Sequence, residues 1–91
     1  MNKYKQSCFH CCLKHIAQAA ILYEESLMGY PLHIYLSKGH LAEAASEVMR
    51  EDIELSQVIR RVRLDMDNGV MPDFLFLIEE TEKRSGKDTS H

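Results

Sequence analysis

Met28-Gly29-Tyr30-Pro31-Leu32-His33 is the stretch that decides the fold. Gly29 suits the position just past a helix, where a left-handed backbone is needed, and Pro31 suits the first turn of the helix that follows. Residues in this order stop one helix and start another, which predicts an antiparallel hairpin with its corner at Gly29–Tyr30. Upstream, Phe9, Leu13, Ile16, Ala20, Tyr23 and Leu27 recur at intervals of 4, 3, 4, 3 and 4. That rhythm puts all six on one face of a helix from about Cys8 to Met28, with Ser7 as N-cap.

Downstream, Ile34, Leu41, Ala45 and Val48 mark the inward face of the second helix. Gly39 inside it costs about 1 kcal/mol relative to Ala, and the expected compensation is close packing against Ala19 and Ala20 across the hairpin. Leu55, Ile59, Val62 and Met66 continue the same phase, so one unbroken helix from Pro31 to Asp67 is one reading. Asp52 at a core phase position, with Glu51 and Glu54 beside it as first-turn acids, argues for a break near residues 50–53. The unbroken alternative also far exceeds the usual length of about 11 or 12 residues. Asn68-Gly69 ends the third helix and Pro72-Asp73 opens a fourth, on which Phe74, Leu77, Ile78 and Thr81 share a face. Residues 1–84 therefore read as one small all-α, four-helix domain built on an antiparallel helical hairpin. Residues 85–91, starting at Ser85, read as a mobile polar tail.

A chain of 91 residues buries a modest share of its surface, so dimerisation, a bound metal or a larger partner would each add stability. The composition, 45% hydrophobic and 27% charged with four Gly and two Pro, is that of a globular protein rather than a disordered one. No apolar run approaches the roughly 20 residues that span a bilayer, and Lys14, His15 and Gln18 interrupt any signal-like core near the N-terminus. A cytoplasmic protein is expected. The net charge of -3 gives no global attraction to nucleic acid or anionic membranes. No Gly-rich phosphate loop, nucleophile elbow or paired catalytic carboxylate occurs, so the sequence gives no support for an enzyme.

Cys8, Cys11 and Cys12 are the three cysteines, an odd and clustered set that makes a poor disulfide framework. Cys8, Cys11 and His15 form one row on the first helix, centred about 125° from the middle of the apolar face. Cys12 lies about 60° from that middle and reads as a core-flanking thiol. Cys-x2-Cys-x3-His can place two thiolates and an imidazole around a tetrahedral zinc, which makes Cys8, Cys11, His15 and His40 the candidate metal ligands. Hairpin register puts His40 opposite Ala19 and Ala20, about 7 Å along the axis from His15, and leaves His33 opposite Ser26, out of reach. Cys8 lies about 17 Å from His40 on the same scale, so this ligand set requires an irregular start to the chain. His10 or a partner chain are the alternative donors. Against zinc stands the reading of buried thiols and surface histidines. Cys-Phe-His-Cys-Cys lacks the His of a haem attachment site, and a thioredoxin-type pair lacks its strands.

Other groupings have bland explanations beside them. His40, Glu43 and Glu47 at spacings of 3 and 4 draw a His–carboxylate cluster, but the chain has no Glu-x-x-His of the ferritin type. Arg60, Arg61 and Arg63 with Lys83 and Arg84 are the one basic concentration, able to meet phosphate or to pair with Glu54, Asp67 or Glu82. Tyr30 and Tyr35 offer partner anchors or simple turn packing.

The sequence Cys8-x2-Cys11-x2-Lys14-His15, then Gly29-Tyr30-Pro31-x-His33 and Gly39-His40-Leu41-Ala42-Glu43-Ala44, resembles small uncharacterised cysteine–histidine helical proteins of bacterial and phage genomes. The likeness spans about residues 8–63. It implies a phage or mobile-element origin and favours taking the Cys and His residues as a set; it implies no activity. The leading expectation is a non-enzymatic helical module that binds another protein or itself, a phage-type accessory or regulatory protein. The alternatives are a small zinc protein with a structural Cys/His site, and a nucleic-acid binder acting through the third helix.

Overall fold

A computed structural model describes residues 3–86. Four helices follow one another, α1 (Lys3–Leu27), α2 (His33–Val48), α3 (Ile53–Asp67) and α4 (Phe74–Ser85), with no strand among the described residues. α1 is the spine: α2 packs along one side of it, α4 along another, and α3 lies against α2. The last residues of the expected tail, 87–91, lie outside the described residues, whereas Ser85 belongs to α4 and is buried.

The corner closes as its residues dictate. Gly29 adopts φ +120°, and the Tyr30 N–H donates to the Glu25 carbonyl at 3.2 Å, the long-range bond of a Schellman ending. His33, Ile34 and Tyr35 then donate to carbonyls three residues back, so α2 starts as a tight turn and Pro31 falls just before it. Glu25 and His33 clasp the two sides of the corner at 2.9 Å. Ser7 is interior to α1, not its cap, because the helix already runs from Lys3.

The break between α2 and α3 is present. Asp52 leaves helical geometry (φ -154°, ψ 87°), and its carboxylate accepts from the Leu55 N–H at 3.0 Å as an N-cap. α3 ends in a full Schellman motif, with Val70 N–H to the Asp65 carbonyl at 2.9 Å, Gly69 N–H to Met66 at 3.1 Å, and Gly69 at φ +81°. Asp73 caps α4 by accepting from the Phe76 N–H at 2.9 Å.

The core is built from Phe9, Cys12, Ile16 and Ala19 of α1, Leu41, Ala44, Ala45 and Val48 of α2, Leu55, Ile59 and Met66 of α3, and Leu77 of α4. On α1 this differs from the rhythm of large apolar residues. Leu13, Ala20 and Tyr23 are half-buried and Leu27 is exposed, while Cys12 and Ala19 are sealed. The buried face is thus turned by about 50° toward the cysteine side, at about 100° per residue. α1 must satisfy two neighbours, and the small side chains of Cys12 and Ala19 are where other helices approach: Ser37 of α2 donates to the Ala19 carbonyl at 2.7 Å. Gly39 is not the small residue at this contact. It is exposed, and a Cβ built on it would have no neighbour within 4 Å, so the expected packing against Ala19 and Ala20 does not occur.

Candidate functional site

The turn of α1 carries His15 from the flank of the expected apolar face to the edge of the real one, where it meets α2. His15 and His40 face each other with their Nδ1 atoms 2.9 Å apart and their ring centroids 5.2 Å apart. Glu43, one turn beyond His40, brings its carboxylate to 3.4 Å from the other nitrogen of His15. One ligand atom from each of His15, His40 and Glu43 falls within 4.8 Å of the rest. Both imidazoles are half-buried and Glu43 is exposed, so the group opens to solvent on one side. Cys11, one turn before His15, borders the same cleft with Lys14 and Gln18.

The two helices supply these residues in pairs. Cys11 and His15 are four apart on α1, and His40 and Glu43 three apart on α2, the two spacings at which helical side chains are neighbours. At this distance the two imidazoles share one hydrogen bond, one ring nitrogen donating and the other accepting. The Glu43 carboxylate stands on the far side of His15, 3.4 Å from its other ring nitrogen.

Of the four ligands expected from the sequence, the fold brings His15 and His40 together and sets Cys11 beside them. Cys8 is elsewhere. It is two turns before His15 on an unbroken helix, about 10 Å along the axis, and borders a different depression with Ser46, Glu47, Met49 and Arg50. The irregular start needed to carry Cys8 to His40 is replaced by regular helix. The register also differs: His40 reaches His15 rather than Ala19–Ala20, about one turn from the position obtained by counting from the corner. Such counting ignores the five-residue connection 28–32 and the length of two imidazole side chains. Glu43 was legible as a neighbour of His40, but nothing local tied it to His15. His33 is held at the corner by Glu25 and stacks on Tyr30 at 5.2 Å. His10 is exposed. Cys12 is an inert core thiol; burial pushes its pKa from 9.0 up to about 12, with Thr81 beside it opposing the shift.

A second surface is apolar. Ile21 and Met71 are 52% and 73% exposed and flank a cleft floored by Ala20, Tyr23, Pro72 and Phe74. A neighbouring cleft shares Tyr23 and Leu27 and adds Pro31, Ile34, Met66 and Val70. Together they form one mainly apolar region, with Glu24 and Ser26 as its polar members, running from the α1 flank past the α3–α4 connection toward the corner, where Met28, Tyr30 and Leu32 are also exposed.

Among the described residues, Lys38, Arg61 and Arg84 pair with carboxylates. Arg84 binds Asp52 at 3.0 Å and Glu80 at 2.8 Å, with Glu54 at 3.4 Å. Arg61 pairs with Asp65, Arg60 lies against Met49, and Lys38 binds Asp67, which holds the Asp67 carboxyl below its usual range. No helix among the described residues is long and apolar enough to cross a membrane. No protein-family model matches the chain, and neither a curated protein nor a solved structure matches it.

Proposed function

We propose that this chain is a non-enzymatic helical interaction module, a phage-type accessory or regulatory protein of the cytoplasm that binds another protein or a second copy of itself. The observation that carries the reading is the apolar region around Ile21, Leu27, Met71 and Phe74. Scattered exposed apolar residues are ordinary, but a contiguous patch on a small domain marks an interaction surface. Covering it would also supply the apolar burial that a chain of this length lacks by itself. The nucleic-acid alternative draws less support, because Arg61 and Arg84 already have carboxylate partners.

Sedimentation velocity over a wide concentration range, with binding of an apolar fluorescent dye, tests the reading. The wild type is expected to self-associate or to bind the dye more strongly than an Ile21→Glu/Met71→Glu variant. Both changes are at exposed positions, so the variant should keep its helical circular dichroism. A wild type that stays monomeric and binds no more dye than the variant removes the support for this function.

A further inference from the structure

We propose that Cys11, His15, His40 and Glu43 form a binding site for one divalent transition-metal ion of the zinc type, bridging α1 and α2. This goes beyond the interaction surface and uses none of its residues.

The argument rests on geometry. Two nitrogens bound to the same tetrahedral zinc at about 2.0–2.1 Å lie about 3.3 Å apart. The Nδ1 atoms of His15 and His40 are 2.9 Å apart, so a small opening of the ring pair admits the ion. The Glu43 oxygen already lies within 4.8 Å of the histidine ligand atoms. It now faces the second nitrogen of His15, and since one ring presents one nitrogen to one ion, Glu43 must swing onto the Nδ1 side. Its exposed side chain has three rotatable bonds to do so. Cys11 borders the cleft from the turn below His15 and is half-exposed; its thiol is not among the ligand atoms already within 4.8 Å of one another, so taking the fourth position requires a side-chain rotation toward the histidines.

The donor set suits the ion. Thiolate, carboxylate and two neutral imidazoles carry two negative charges, which balance the two positive charges of the metal in a half-buried place. Borderline N and S donors select zinc-like ions over magnesium or calcium, which take oxygen ligands. The scaffold is also suitable: each helix contributes two ligands one turn apart, and the packed core of the hairpin holds the helices in register. Lys14 on the rim is exposed, and its long side chain can turn into solvent.

The test uses the untagged full chain. Cobalt(II) titration followed by optical spectroscopy, and zinc affinity by competition with a chromophoric chelator, report site and ligands together. One equivalent of cobalt should bind with the intense visible bands of a tetrahedral site and a thiolate-to-cobalt charge-transfer band. His15→Ala and His40→Ala should each weaken zinc binding by at least about 100-fold, since even residues that only orient ligands cost about 10- to 100-fold. Glu43→Gln keeps shape and removes charge, so it should weaken binding while leaving the circular dichroism unchanged. Cys11→Ser should abolish the charge-transfer band, and His10→Ala should change nothing. Absence of stoichiometric binding, or binding that survives His15→Ala, overturns the site. Tetrahedral cobalt without the thiolate band overturns the role of Cys11.

Discussion

Asp52 holds two jobs that can be separated by substitution. Its Oδ1 caps α3 through the Leu55 N–H at 3.0 Å, and both its oxygens accept from Arg84 near the end of α4, at 3.0 and 3.1 Å. It thus ends the continuous apolar phase of α2 and α3, and it ties α3 to a helix with which it shares little other contact. Replacing Asp52 by Ala loses a cap worth about 1 kcal/mol. The ion pair is partly exposed, with side chains 18% and 27% accessible, and Arg84 retains Glu80 and Glu54, so its loss adds about 0.5–1 kcal/mol. The sum of about 1.5–2 kcal/mol lowers Tm by roughly 8–15 °C for a domain of this size. Asp52→Asn keeps a good capping side chain and loses the charge, so it should cost only the smaller part, about 0.5–1 kcal/mol. Urea unfolding followed by circular dichroism measures both. A cycle with Arg84→Ala should return a coupling near the ion-pair figure. An Asp52→Ala cost below about 0.5 kcal/mol, or an Asn variant as unstable as the Ala variant, would refute the division of labour drawn here.

Two further outcomes are expected. Gly39→Ala should stabilise the protein by about 0.8–1 kcal/mol, because the position is helical, its backbone is ordinary and a Cβ meets nothing; a loss of stability in chemical denaturation would show that Gly39 has a close neighbour after all. Cys12 should make stability fall at high pH. The unfolded thiol ionises near 9.0 while the folded one holds its proton to about 12, so the unfolded state binds fewer protons across that window. The contribution is complete below pH 9 and is lost above it, at up to about 1.4 kcal/mol per pH unit. Thermal melts from pH 8 to 11 should show a shallower decline for Cys12→Ala than for wild type, and equal slopes would contradict the assignment.

The features legible in the chain were those decided within a few residues. Gly29, Gly69 and Asn68 stop helices because a helix end needs a left-handed residue or a side-chain partner nearby. Asp52 and Asp73 start helices because a carboxylate can reach an N–H three residues on. The all-α class and the break near 50–53 follow from these signals plus the 3–4 rhythm. The candidate site was half legible. Cys11, His15 and His40 stood out by type and spacing, and Cys8 stood out just as strongly, although regular helix carries it away.

By itself, then, the amino-acid order determined where helices begin and end, since capping and turn energetics are local. Only tertiary packing decided which face of α1 is inward, because that depends on two neighbouring helices at once and favoured the small Cys12 and Ala19 over the larger Leu13 and Leu27. That rotation, with the sliding of α2 that sets His40 against His15 and brings Glu43 alongside, assembles the group. No residue spacing encodes it, because side chains 25 positions apart in the chain meet only through the packing of everything between them.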